Sequence, residues 1–199
     1  SPDMVAQTKR NLAARLPAVT LRGLVRVHGR DAVHPEGPDL AGEAETLVAH
    51  EIAHVICAQS GATFPRRWLA EAFADYGLVA VLGETDPGGL HRVGTLAEAA
   101  RLLADTPPCG DVLDRPRGTL APVCSVLAHL ALTRAAFAVF AEAHTAPLAR
   151  WFAWALQPAR NPPDADHELG RMLGANVHPA LAALAAGCAD WQAALARAA

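Results

Sequence analysis

Apolar and polar positions along the chain follow two rhythms. Most stretches repeat about every third or fourth residue, as helices do, and one alternates, as strands do. Residues 5–16 carry the helical rhythm and stop at Pro17. Residues 19–28 alternate, with Leu21, Gly23, Val25 and Val27 on one side and Arg22, Leu24, Arg26 and His28 on the other. That pattern predicts a strand. Residues 29–38 are rich in turn formers, with room for a second short strand at 32–34. A helix is expected over 41–60, where Leu47, Val48, Ile52, Val55 and Ile56 form an apolar stripe to be buried and Gly61 supplies a stop. After a Phe64-Pro65 turn a second helix is expected over 66–82, and then a loop over 83–89. Thr95, with Glu98 three residues on, reads as the capping box of a helix ending near 104. A proline-rich loop spans 106–118 and a linker spans 161–166. Further helices are expected at 121–144, 147–157, 166–173 and 179–197. The sum is a mainly α (α+β) fold with a small N-terminal sheet and a helical C-terminal part. Residues 1–90 and 91–199 are expected to form two parts of one compact domain.

Composition sharpens this picture in a few places. Of 199 residues, 52% are hydrophobic and only 5% aromatic. A chain so rich in alanine and leucine leans helical, and its length can bury a core without disulfide staples. The formal net charge of -3 comes with no long run of one sign. That argues against nucleic acid or an anionic membrane surface as partner, since both call for a basic patch. The longest apolar stretch, 135–141, falls short of the roughly 20 residues that cross a bilayer, so no membrane span is expected. No apolar segment of a signal peptide follows Ser1-Pro2-Asp3-Met4. A cytoplasmic protein is the expectation, with a processed, exported chain as the alternative. Cys57, Cys109, Cys124 and Cys188 form no CxxC pair, which speaks against a cysteine zinc site. Unpaired thiols are expected, with a Cys109–Cys124 disulfide as the alternative. The oligomeric state is left open.

The chemistry is concentrated in His50-Glu51-Ile52-Ala53-His54, an HExxH motif inside a predicted helix. Residues i and i+4 share a helix face. Two imidazoles so placed can converge on one ion, and Glu51, about 100° round the helix, is placed to act as a general base on water. With nine histidines in the chain, chance gives only about 0.02 such motifs per chain of this composition. A catalytic zinc needs a third protein ligand and an open fourth position. The next predicted helix offers Glu71, with Asp75 one turn further on the same face. Asp75 can accept the second ring N–H of a ligand histidine and so fix its tautomer.

These residues resemble a known family. His50-Glu51-x-x-His54 followed by Pro65-Arg66-Arg67-Trp68-Leu69-Ala70-Glu71-Ala72-Phe73-Ala74-Asp75-Tyr76 looks like the gluzincin metallopeptidases, the thermolysin-like superfamily, and especially the small bacterial domains called peptidase MA-like. The match covers about 30 residues. It implies zincin-like active-site helices, one Zn2+ held by His50, His54 and Glu71, Glu51 as catalytic base and Asp75 as the partner of a ligand histidine. It also implies that a sheet edge, here residues 19–28, can bind substrate as an added strand. Two positions depart from the family. Ala72 stands where a glycine is usual after the ligand glutamate. The downstream Tyr or His that steadies the oxyanion has no clear counterpart, since Tyr76 is the only tyrosine. His129 and Tyr76 are the candidates for that oxyanion or substrate contact, with His91 and Arg117 behind them.

Three functional readings follow. The first is a zinc-dependent hydrolase cleaving an amide or peptide bond with zinc-activated water. The second keeps the zinc chemistry but takes a small-molecule or biosynthetic intermediate as substrate. The third is a non-catalytic, zinc-stabilised interaction domain, against which the intact Glu51 argues.

Overall fold

The computed structural model describes residues 14–32, 35–40, 42–100, 122–157 and 166–179, with Gln7, Asn11, Leu102, Leu181 and Ala182. Among these residues there are seven α-helices: α1 (Ala18–His28), α2 (Glu43–Ser60), α3 (Arg67–Thr85), α4 (Pro87–Ala100), α5 (Pro122–Ala143), α6 (Ala146–Ala155) and α7 (Asp166–Asn176). The mainly α expectation therefore stands. Of the first expected helix, Gln7 and Asn11 are helical and joined by a 3.0 Å side-chain hydrogen bond. Ala14, Arg15 and Leu16, expected in the same helix, form a turn before Pro17 instead. Residues 5, 6, 8–10, 12 and 13, the loop at 106–118, most of the linker at 161–166 and all but Pro179, Leu181 and Ala182 of the last helix lie outside the described residues.

The helix α3 organises the rest. From Trp68 to Ala80 every residue except Ala70 is buried, as expected of a helix that is apolar nearly all round. It packs chiefly against α5 and α2, and α4 and α6 complete its surroundings. The main core joins Trp68, Phe73 and Tyr76 of α3 to Leu132 of α5, Trp151 of α6 and Leu173 of α7. A second cluster gathers Leu24 of α1, Leu40, Leu96 of α4 and Leu130 of α5.

The residues expected to be a strand are instead the helix α1. The same apolar residues carry both patterns: Leu21, Leu24 and Val25 sit at i, i+3 and i+4, and Leu24 alone of them is fully buried. Pro17 precedes the first turn, and Gly29, at φ 82°, closes the helix in a conformation that favours glycine. The only β feature among the described residues is an isolated antiparallel bridge between Arg30 and Pro38. Val33 and His34, where a second strand was expected, are outside them.

Glycines misled the reading of the next segment as well. The expected loop at 83–89 is helical except for Asp86, and α4 runs straight through Thr95. The Thr95 hydroxyl donates to the carbonyl of His91, one turn back, rather than capping a helix. Gly83 and Gly94 are contact points between helices. A Cβ at Gly83 would collide with the ring of Phe140, and one at Gly94 would lie 2.9 Å from Cζ of Phe137. Both rings belong to α5, so the glycines let it approach α3 and α4.

Within α5, Val126–Ala143 is long and apolar enough, by length and composition, to cross a membrane. It packs against α3 and α4, and 39% of that stretch is buried. Placing valine at Gly83 is expected to lower unfolding free energy by about 1–3 kcal/mol, the usual effect of overpacking. Exposed Glu84→Ala should stay within about 0.5 kcal/mol. Denaturant midpoints of the two variants would decide.

Candidate metal centre

Two helices bring the site together. Gly61, at φ 73°, ends α2, and its amide and that of Ala62 close onto the carbonyls of Ala58 and Cys57. This is the left-handed stop that glycine permits. The Thr63 amide donates a 2.9 Å hydrogen bond to the Ala155 carbonyl of α6, and Pro65 leads into α3. So short a connection returns α3 antiparallel to α2. His54 therefore meets Glu71, and His50, one turn earlier, meets Asp75, one turn later.

Three donor atoms converge. Nε2 of His54 lies 3.1 Å from Nε2 of His50 and 3.0 Å from Oε2 of Glu71. The third edge, His50 Nε2 to Glu71 Oε2, is 3.4 Å. Ligands about 2.0–2.1 Å from a tetrahedral ion stand about 3.3–3.4 Å from one another. The triangle is thus close to one face of such a tetrahedron. Two imidazole nitrogens facing each other at 3.1 Å cannot both carry a proton, so a shared proton or a cation must lie between them. Two neutral nitrogens and a carboxylate oxygen are a set that zinc takes at catalytic sites. The residues present therefore fit the ion that the motif implies.

Two of the three donor groups are oriented from behind. His50 donates from Nδ1 to Oδ1 of Asp75 at 3.0 Å, which leaves Nε2 for the centre. Arg67, one turn before Glu71, stands with Nε 3.5 Å from Oε1, leaving Oε2 for the centre. His50, Glu71 and Asp75 are all buried, whereas the His54 side chain is 23% exposed.

Electrostatics reinforce the arrangement in the metal-free chain. Burial pulls the His50 imidazole down, but the hydrogen bonds and charges of Asp75 and Glu71 override it and raise it to about 10. Burial alone would push the Glu71 carboxyl up. Hydrogen bonds from His50 and His54, with the nearby His129 and His54 charges, hold it well below the usual carboxylate range. Asp75 behaves likewise: burial pushes it up, and His129 and His50 hold it down.

The remaining candidates fall in different places. Glu51 is exposed on α2, between the two histidines in sequence. His129 of α5 joins the cluster, with its ring 5.3 Å from that of His50 and edge-on to it. Tyr76 does not join it. Its ring is fully buried beside Trp151, and its hydroxyl donates to the carbonyl of His144. Burial pushes that hydroxyl up to about 12. His91 is exposed on α4, and Arg117 is outside the described residues. Sequence reasoning passed over Arg67, although its i, i+4 spacing to Glu71 was a usable signal. The apolar stripe of α2 is a further correction. Val48, Ile52, Val55 and Ile56 are 49–55% exposed, because α2 turns His50, Ala53 and Cys57 toward α3 instead. Cys57 is a free, buried thiol, pushed up by that burial.

No protein-family model, curated protein or solved structure matches this chain. Any cation entering the triangle must displace the proton that His50 holds up to about pH 10. Apparent zinc affinity should accordingly rise about tenfold per pH unit between pH 6 and 8. A chelator competition at several pH values measures this, and a flat profile would contradict the arrangement.

Proposed function

We propose that this chain is a zinc-dependent hydrolase that cleaves an amide or peptide bond. The observation that carries the reading is the triangle of His50 Nε2, His54 Nε2 and Glu71 Oε2, with edges of 3.0, 3.1 and 3.4 Å. These three residues would hold the ion. A bound zinc supplies Lewis acidity, lowering the pKa of water toward neutrality and polarising a carbonyl. Among the described residues three protein donors meet, which would leave a fourth position open, as catalytic sites require and structural sites do not. The partial exposure of His54, beside buried His50 and Glu71, gives the centre a side toward solvent.

The protein's own groups divide the remaining work. Asp75 keeps the His50 proton on Nδ1. Arg67 holds Oε1 of Glu71. Glu51 accepts a proton from the attacking water on its carboxylate and returns it to the nitrogen of the leaving amine.

A second reading keeps this chemistry and makes the substrate a small-molecule amide. One observation favours it: residues 19–28, which as a strand would offer an edge to an extended peptide, are helical. Among the described residues no other strand takes their place.

The test begins with metal analysis of the purified chain, where one zinc per chain is expected. Glu51→Gln should keep that zinc and lose turnover of an unstructured peptide by about 10²–10⁴-fold, the usual weight of a general base. A chain without stoichiometric zinc contradicts the reading at its root. Zinc with unchanged turnover in Glu51→Gln contradicts the mechanism. Zinc with no turnover of peptides but hydrolysis of small amides favours the second reading. Zinc with neither activity points to a zinc-stabilised interaction domain.

A further inference from the structure

The Asp75 carboxylate has two oxygens and two histidine neighbours. Oδ1 accepts from His50 on α2 at 3.0 Å, and Oδ2 lies 3.5 Å from Nδ1 of His129 on α5. Oδ2 is buried and has no hydrogen bond of normal geometry. His129 is the group that faces it. Asp75 itself is only 3% exposed, and an unsatisfied buried acceptor is strongly unfavourable. A carboxylate tethered at one oxygen can still rotate about its last torsion. Contact at both oxygens removes that freedom, and the ring held by Oδ1 is fixed in turn. The edge-on packing of the His129 ring on the His50 ring, at 5.3 Å, limits the same motion from a second direction. His129 is placed by α5, whose next turn is pinned by the Thr133 hydroxyl donating to the His129 carbonyl at 2.8 Å.

We infer that His129 is a positioning residue of the metal centre: its Nδ1–H holds Oδ2 of Asp75, and Asp75 holds the ring of His50. The inference rests on the zinc reading above, which makes His50 a ligand. It gives His129 a task different from the contact with a substrate oxygen that its place in the sequence suggests. It also makes α5 part of the centre, although α5 supplies no zinc ligand. His50, Asp75 and His129 lie close enough to hold an ion of their own. The inference places a proton, not a second cation, between Asp75 and each histidine.

Zinc competition against a chromogenic chelator, on the full chain, tests it. His129→Asn puts an amide nitrogen where Nδ1 stands, whereas His129→Gln puts one nearer to Nε2. His129→Phe keeps the ring and removes both nitrogens. The Phe and Gln variants should bind zinc about tenfold or more weakly, and the Asn variant should stay within about threefold of wild type. Thermal unfolding of the metal-free variants, run alongside, separates loss of fold from loss of affinity. A Phe variant that melts lower but binds zinc as wild type does overturns the inference. So do equal affinities for the Asn and Gln variants, since the role is assigned to Nδ1. Two zinc ions per wild-type chain overturn it by placing a cation at Asp75. A wild-type chain that binds no zinc contradicts the metal reading itself, and is thereby told apart from failure of this inference alone.

Discussion

Two carboxylates buried in the central helix set the terms for everything around them. Glu71 and Asp75 lie on α3, which is enclosed from Trp68 to Ala80. An isolated buried charge costs several kcal/mol, and the protein must neutralise it or surround it with donors. Here the neighbours come from both flanking helices and from α3 itself: His50 and His54 of α2 hydrogen-bond the carboxylates, His129 of α5 stands 3.5 Å from Asp75, and Arg67, one turn back on α3, stands 3.5 Å from Glu71. The positions of α2 and α5 against α3 are therefore fixed by polar contacts as much as by the apolar core. Loosening either helix would leave a carboxylate uncompensated in the interior.

This constraint turns α2 inside out relative to an ordinary amphipathic helix. Its inward side carries His50, His54 and Cys57, and its aliphatic residues Val48, Ile52, Val55 and Ile56 remain half exposed. These side chains are already about half buried, so completing their burial would gain only about 0.8–1.5 kcal/mol each. It would also carry both histidines away from Glu71 and Asp75. Neither carboxylate has room to follow, because α3 has no solvent-facing side between Glu71 and Ala80. The charged pairs win this competition, and the apolar stripe is left on the outside.

What the sequence could tell follows from the range of each interaction. Helix existence was legible wherever the 3.6-residue period ran long, as in α2, α3, α5 and α6. The meeting of His50, His54 and Glu71 was legible because HExxH and Glu71 sit on two consecutive helices joined by a short turn, so the geometry is nearly local. Asp75 followed from its one-turn offset from Glu71. Residues 19–28 were ambiguous for a physical reason: Leu21, Leu24 and Val25 satisfy helical spacing while the neighbouring residues alternate. Gly83 and Gly94 read as loop signals, yet the structure uses their missing side chains to admit Phe140 and Phe137. The Asp75–His129 contact spans helices far apart in the chain, and no local pattern encodes it.

Among the described residues three protein donors, and not four, meet at the centre. A fourth donor from α5 would be the simplest way to close the site, but His129 groups with His50 and Asp75 and not with His54 and Glu71. Its Nδ1 faces Oδ2 of Asp75, and its ring stands edge-on to that of His50. Oδ2 is buried without a hydrogen bond of normal geometry, so if His129 positions Asp75, that oxygen has more need of its Nδ1–H than the triangle has of a fourth corner. Committing His129 to the carboxylate leaves the triangle three-sided, with the partly exposed His54 at its rim. On the zinc reading, the buried charge that stabilises the ligand helices is thus also what keeps one coordination position available for chemistry.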